Sequence, residues 1–308
     1  MGVSTPLRKI LAALWMLGTP VLGASIWPLA PSLAAPEARP SVSPAEQDRA
    51  DRLLQTAQAL LAAGDVPLAI ETAHQALAIQ PTHAEIHFFL ALAFETLGAL
   101  DDALREYEAV VAHSPPYLES QYRTGLLHAQ RGEYPSAIRA LSTVLRQNPD
   151  HLAARFNIGL VFRKVGDDGW AKRHFELVLK QEPRHAGALT GLGNIAYAGG
   201  DFRGAIEHYR LALTDDPTYL PARRNLAAAL KHTGDLPQAL LEYREALANP
   251  SPDATLYIEY ADTLRISGRT TEAVPMYQQG LGMLSTTHSE LRNHVETQLQ
   301  RLTSRRAN

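Results

Sequence analysis

The sequence predicts an all-α solenoid of seven helix–turn–helix units, and three columns of residues carry that prediction. Glycine returns every 34 residues at Gly64, Gly98, Gly132, Gly166, Gly200, Gly234 and Gly268, with no insertion or deletion. Five residues on, alanine does the same at Ala69, Ala103, Ala137, Ala171, Ala205, Ala239 and Ala273. Proline closes the units at Pro81, Pro115, Pro149, Pro183 and Pro217, shifts to Pro250 and Pro252, and is lost after the seventh. Columns held in phase over residues 50–283 mark stacked supersecondary units, since one such unit cannot bury its apolar face alone.

Within a unit the punctuation dictates the elements. Each opens with apolar or small residues at helical spacing, such as Leu90, Ala91 and Phe94, and the glycine after them (here Gly98) ends the first helix in the left-handed conformation. The second helix starts two or three residues later; Pro67, Pro135 and Pro237 sit in its first turn, where a missing N–H costs nothing. That helix buries the alanine column, then a bulkier one (Ala73, Tyr107, Leu141, Phe175, Tyr209, Tyr243, Tyr277), then a smaller one (Ala76, Val110, Val144, Val178, Ala212, Ala246, Gly280). Small residues let paired helices approach, and the large ring fills the gap to the next unit.

Counting the units as 50–83, 84–117, 118–151, 152–185, 186–219, 220–253 and 254–287, a further small residue recurs at Ala57, Ala91, Gly125, Gly159, Gly193, Ala227 and Ala261. Together with the alanine, ring and proline columns, this pattern resembles the tetratricopeptide repeat family over about three quarters of the chain. The resemblance implies a right-handed superhelix whose first helices line a concave face. It is specific for fold and nearly silent on function. Two residues depart from it: Asp168 stands where a bulky apolar residue is usual, and Pro275 lies inside the last unit's second helix, predicting a kink or a late start.

Outside the repeats, Arg8 and Lys9 precede a charge-free run over residues 10–36, and Ser32, Leu33 and Ala34 place a signal-peptidase site before Ala35. Residues 1–34 therefore read as a signal peptide, with a retained membrane anchor as the alternative, and either exports the repeats. Residues 35–43 are Pro-, Ala- and Ser-rich and read as a flexible linker. Ser43, Pro44 and Glu46 form a capping box, so the repeat region spans 44–283 with its first helix running from Pro44 to Ala63. A second box, Thr287 to Glu290, opens a closing helix over 287–303, with Leu291, Val295, Leu299 and Leu302 as its apolar stripe and Arg292, Glu296 and Arg301 outward. Residues 304–308 read as a frayed tail.

Composition excludes several functions. The chain has 308 residues, 45% hydrophobic, a net charge of −3 and no cysteine. Residues 1–34 carry no acidic side chain, so the body alone is more acidic still, which argues against nucleic acid as partner. Without cysteine there is no disulfide, thiolate nucleophile or cysteine-based zinc site. His83 and His87 have the spacing to share a metal but lack a third ligand, and His87 falls at a packing position. No nucleophile turn appears, and Gly191, Leu192 and Gly193 lie within a helix rather than in a phosphate loop. The repeats leave no room for a catalytic domain, so no catalytic residue, metal or cofactor is expected.

What remains is the inner face. Helical spacing and the resemblance together assign to it Phe88, Phe89 and Leu92 in the second unit, Tyr122, Arg123 and Leu126 in the third, and Phe156, Asn157, Leu160, Arg163 and Lys164 in the fourth. Asn194 and Tyr197 follow in the fifth unit, and Arg224, Asn225 and Lys231 in the sixth. The face begins apolar and aromatic, with Phe88, Tyr122 and Phe156 as a ladder, and turns basic. The rings read either as a binding surface or as packing across a tight groove. Asn194 and Asn225 match the asparagines of the carboxylate clamp in chaperone-binding relatives, whereas Thr190, Thr255 and Glu259 replace its lysines, so a full clamp is not expected. The predicted function is an exported scaffold or assembly factor in the periplasm or cell envelope that holds a protein segment, apolar along one half and acidic along the other, in this groove. The alternatives are a self-associating structural component and an accessory subunit of an envelope enzyme or secretion complex.

Overall fold

A computed structural model describes residues 42–114, 117–250, 252–285 and 287–307. Among them are fifteen α-helices. The leader over 1–34 and the linker up to residue 41 lie outside the described residues. The seven units are α1 (Pro44–Ala62) with α2 (Val66–Ile79), α3 (Ala84–Leu97) with α4 (Leu100–His113), α5 (Leu118–Gln130) with α6 (Tyr134–Gln147), and α7 (Leu152–Lys164) with α8 (Asp168–Gln181). They continue as α9 (Ala186–Ala198) with α10 (Phe202–Asp215), α11 (Leu220–Thr233) with α12 (Leu236–Leu247), and α13 (Ala254–Ile266) with α14 (Thr270–Met283). The closing helix is α15 (Ser289–Ala307).

Every turn glycine adopts a left-handed φ, from 73° at Gly98 to 86° at Gly64, and no other described residue does. This is the conformation only glycine reaches cheaply, and it explains why the column tolerates no substitute. Four of the second helices start on side-chain caps, with Asp65, Asp167, Asp201 and Asp235 accepting from backbone N–H groups of the first turn, whereas α4, α6 and α14 have no side-chain cap. The alanine column is wholly buried from Ala69 to Ala273, as are the rings Tyr107, Phe175, Tyr243 and Tyr277.

Each helix packs chiefly on its partner within the unit and then on the next unit. First helices also meet first helices of neighbouring units, whereas no such principal contact joins second helices among the described residues. The first helices therefore crowd together on the inner side, and side chains projecting from that side face a common groove.

Three boundaries differ from expectation. Helix α1 starts on the reciprocal Ser43–Glu46 capping box that the sequence indicated and ends at Ala62, one residue early. Helix α14 begins in phase at Thr270 and carries Pro275 inside it; the proline neither delays the start nor ends the helix. Helix α15 starts at Ser289 and continues through Ala307, into the residues expected to form a frayed tail. Its Val295 and Leu302 are buried against the last unit, with Leu291 and Leu299 beside them. Arg292 is not simply outward, because its Nη1 donates to Leu284 O at 2.9 Å and so satisfies a carbonyl just past the end of α14.

Candidate functional site

The inner face is built from α3, α5, α7, α9 and α11. Phe88, Tyr122 and Phe156 are half-buried and wedged rather than displayed. Phe88 meets the Tyr107 ring edge-on at 5.7 Å and Tyr117 at 5.1 Å; Tyr122 lies 5.0 Å from His151; Phe156 lies 5.8 Å from Phe175 and 5.0 Å from His185. Each ladder ring thus packs on a residue just before the next first helix. Beside the rings runs a file at one shared position: Leu92, Leu126 and Leu160, the last 38% exposed.

Phe89 does not belong to the groove. It is only 6% exposed and packs in the core with Ala73, Leu54 and Ala57. The cause is a size exchange between units. The sixth residue of each unit faces the ring column of the unit before: Phe175 presses on Gly191, where a Cβ would lie 2.5 Å from the ring. In the first unit that column holds only Ala73, and Phe89 fills the space. The signal was present in the sequence as two coincident exceptions, one alanine in a column of large residues and one phenylalanine opposite it.

Ion pairs redraw the expected basic half. Glu95 accepts from the Tyr107 hydroxyl at 2.5 Å and from Arg123 Nη1 at 3.0 Å, while Arg123 Nε donates to Glu119 at 2.8 Å. Arg224 grips both oxygens of Glu259, at 2.8 and 2.9 Å, and reaches Asp253 at 3.2 Å. Hydrogen bonding to Glu119 and Glu259, respectively, holds both guanidinium pKa values above their ordinary range. The charges of Arg123 and Arg224 are therefore met within the fold, which corrects the assignment of Arg224 to the basic part open to an acidic segment and ties Arg123, expected as groove lining, to Glu95 and Glu119. Arg163, Lys164 and Lys231 have no such partner among the described residues; Lys164 is exposed and Lys231 half-exposed.

The polar residues are cross-linked between units. Asn157 Nδ2 donates to the Tyr122 hydroxyl at 3.1 Å. Asn194 Oδ1 accepts from the Tyr209 hydroxyl at 2.8 Å and from Asn225 Nδ2 at 2.7 Å. Tyr197 contacts Phe202 at 5.1 Å and His232 at 5.3 Å. Both nitrogens of His87 are engaged, by Glu106 at 2.6 Å and Pro81 O at 3.0 Å, so it is a packing residue. Among the described residues no cluster of three or more His, Asp or Glu is arranged to hold a metal, and no helix is long and apolar enough to cross a membrane.

Comparison with known proteins agrees with this architecture. One tetratricopeptide repeat profile matches residues 54–117, 122–168 and 171–219, and a second matches 196–257. The chain belongs to the tetratricopeptide repeat family. A tetratricopeptide repeat protein from Parabacteroides merdae superposes with a TM-score of 0.68 at 17% identity, over 83% of this chain and 99% of that one. The Cut9–Hcn1 hetero-tetramer of the APC/C gives 0.62 at 16% identity, over 81% of this chain and 53% of the other. PilF of Pseudomonas aeruginosa gives 0.55 at 20% identity, over 70% and 97%. At these identities the likeness is one of fold. No curated protein matches the chain. The tetratricopeptide fold is one that supports protein–protein interaction.

Proposed function

We propose that this chain is an exported, non-catalytic scaffold or assembly factor that holds an extended segment of another protein along the inner face of α3 to α11. The supporting observation is the file Leu92, Leu126 and Leu160 beside three wedged rings, ending in a leucine that is 38% exposed. Leu160 is exposed while Leu92 and Leu126 are half-buried, and an exposed apolar side chain in line with two partly covered ones along the inner face suits burial by a ligand. The charge-free run behind Arg8 and Lys9, with its small residues at 32–34, supports export to the periplasm or an equivalent compartment.

Photo-crosslinking in intact cells tests the groove. With p-benzoylphenylalanine at position 160, an adduct to a second protein is expected; at the outer-helix residue Leu211, 54% exposed, none is. Adducts from Leu211 but not from 92, 126 or 160 would move the surface to the convex side, and adducts to another copy of the chain would establish self-association instead. N-terminal sequencing of the envelope fraction should begin near Ala35; Met1 would favour the anchor, and recovery only from the cytosol would remove export.

A further inference from the structure

The outer side of the solenoid carries one cationic face that its packing does not use. Along α6, Ser136, Arg139, Thr143 and Arg146 form a stripe opposite the buried Ala137, Leu141 and Val144. Trp170, Arg173, Leu177 and Lys180 hold the same four positions on α8, opposite Ala171, Phe175 and Val178. All four cations of the two stripes are exposed. Arg139 and Arg146 donate to neutral hydroxyls, Ser136 Oγ at 3.0 Å and Thr143 Oγ1 at 2.7 Å. Among the described residues the ion pair within these helices is Lys172 with Glu176, 3.9 Å apart and off the stripe.

This runs against the balance of the chain, whose net charge is −3. Helix α6 has no acidic residue, whereas α4 sets Asp101, Asp102, Glu106 and Glu108 against Arg105, and α12 sets Glu242 and Glu245 against Arg244. The two cationic positions of the stripe hold Arg105 and Ala112 in the unit before and Glu207 and Thr214 in the unit after. Trp170, 42% exposed, stands within this face. Its ring stacks on Phe162 at 6.0 Å, and Arg173 Cζ lies 5.4 Å from its centroid. The units on either side place Ser136 and Gly204 at its position, so no large residue there shields it. A tryptophan among unpaired cations matches the layers of a bilayer surface, with phosphates outermost and beneath them the zone where indole rings settle. A protein interface would centre on an apolar cluster, and here Leu177 is half-buried and the exposed carboxylates of Asp168 and Glu176 lie on the same helix. We infer that the outer face of α6 and α8 rests on anionic lipid, with Arg139, Arg146, Arg173 and Lys180 against the phosphates and Trp170 at headgroup level. This is independent of the groove reading and leaves the inner face open while the solenoid lies on a membrane.

The absence of cysteine makes a site-specific test direct. The full chain, as Thr143→Cys or as Gln75→Cys at the same position of α2, is labelled with a nitrobenzoxadiazole dye and mixed with vesicles of phosphatidylglycerol and phosphatidylcholine in equal parts. The label at 143 should brighten and shift to the blue, the label at 75 should not, and phosphatidylcholine alone should move neither. Arg139→Glu with Arg173→Glu should raise the lipid concentration needed for the response at 143 by at least about tenfold, and added salt should raise it in the parent. A label at 143 that stays silent on the anionic vesicles would overturn the inference, and so would a response that survives the double charge reversal. Equal responses at 143 and 75 would overturn it in favour of attachment through the leader. A response at 143 to soluble polyglutamate as strong as that to the vesicles would reassign the face to an acidic protein.

Discussion

At the residue scale, two histidines at the seams between helices carry opposite pH signs. His87 Nε2 faces the Pro81 carbonyl, which can only accept, and Nδ1 faces the Glu106 carboxylate, so the imidazolium satisfies both. Its pKa is accordingly raised, chiefly by the hydrogen bond to Glu106 and against the effect of burial. The stability this pair contributes is fully present below the ordinary histidine value of about 6.5 and is lost as pH rises through the folded value. His174 is pushed down to about 4, first by burial and then by Arg155 and Arg173. It stays neutral in the fold while the unfolded chain takes up its proton, so its contribution is lost as pH falls from about 6.5 toward 4. Thermal melting should show the gap between wild type and His87→Leu narrowing as the solution turns alkaline, and the wild type losing more stability than His174→Phe on acidification. An NMR titration placing His87 at or below about 6.5 would contradict the first expectation. Sequence spacing marked His87 as a packing residue but not its partner, because Glu106 lies on the other helix of the unit. A columnar reading would have found it: Arg223 and Glu242, 2.7 Å apart, occupy the same two positions four units on.

At the element scale, ring size on one helix is balanced by its absence on two others. Phe175 of α8 sits between Gly159 of its own unit and Gly191 of the next, where added Cβ atoms would approach to 2.6 and 2.5 Å. Alanine in place of a mid-helix glycine ordinarily stabilises by about 0.5 to 1 kcal/mol. Here the clash should reverse the sign, with Gly191→Ala costing about 1 to 3 kcal/mol through overpacking. Gly282 in α14 has nothing within 4 Å of where an added methyl group would sit, so Gly282→Ala should stabilise. Chemical denaturation of the two variants should give shifts of opposite sign, and a stabilised Gly191→Ala would mean that the ring gives way and the slot is loose. Phe175→Leu should recover part of the Gly191→Ala loss. The helices, their turns and these buried columns were legible because each depends on local spacing repeated seven times. The Arg224–Glu259 pair was not, because it depends on which residues of successive units come face to face, and the Phe89 exchange showed only as coincident exceptions in two columns whose facing the spacing within one unit does not give.

At the scale of the whole molecule, stability and binding draw on the same inner face, and that decides which substitutions can separate them. In a stack whose units touch only their neighbours, a loss in the middle weakens two junctions. Phe156 reaches across one: it packs on Phe175 in its own unit, and it lies where a Cβ on Gly187 of the next would come within 2.7 Å of the ring. Phe156→Ala should therefore lower the melting temperature through the cavity it leaves, costing a share of the about 3 to 5 kcal/mol typical of a fully buried ring, and any loss of binding would follow partly from that. Leu160, 38% exposed on the same helix, makes little of the core, so Leu160→Gln should stay within about 0.5 kcal/mol of wild type. If the groove holds a partner by burying its apolar file, Leu160→Gln should weaken capture of that partner with the melting curve unchanged, mainly through faster dissociation. Raised salt should slow association through Arg163, Lys164 and Lys231 and leave dissociation nearly constant, whereas Arg224→Ala, whose charge is already met by Glu259, should change the salt dependence little. Capture at wild-type strength by Leu160→Gln, alongside loss in a destabilised Phe156→Ala, would show that the ladder is packing and that the partner docks elsewhere on the solenoid.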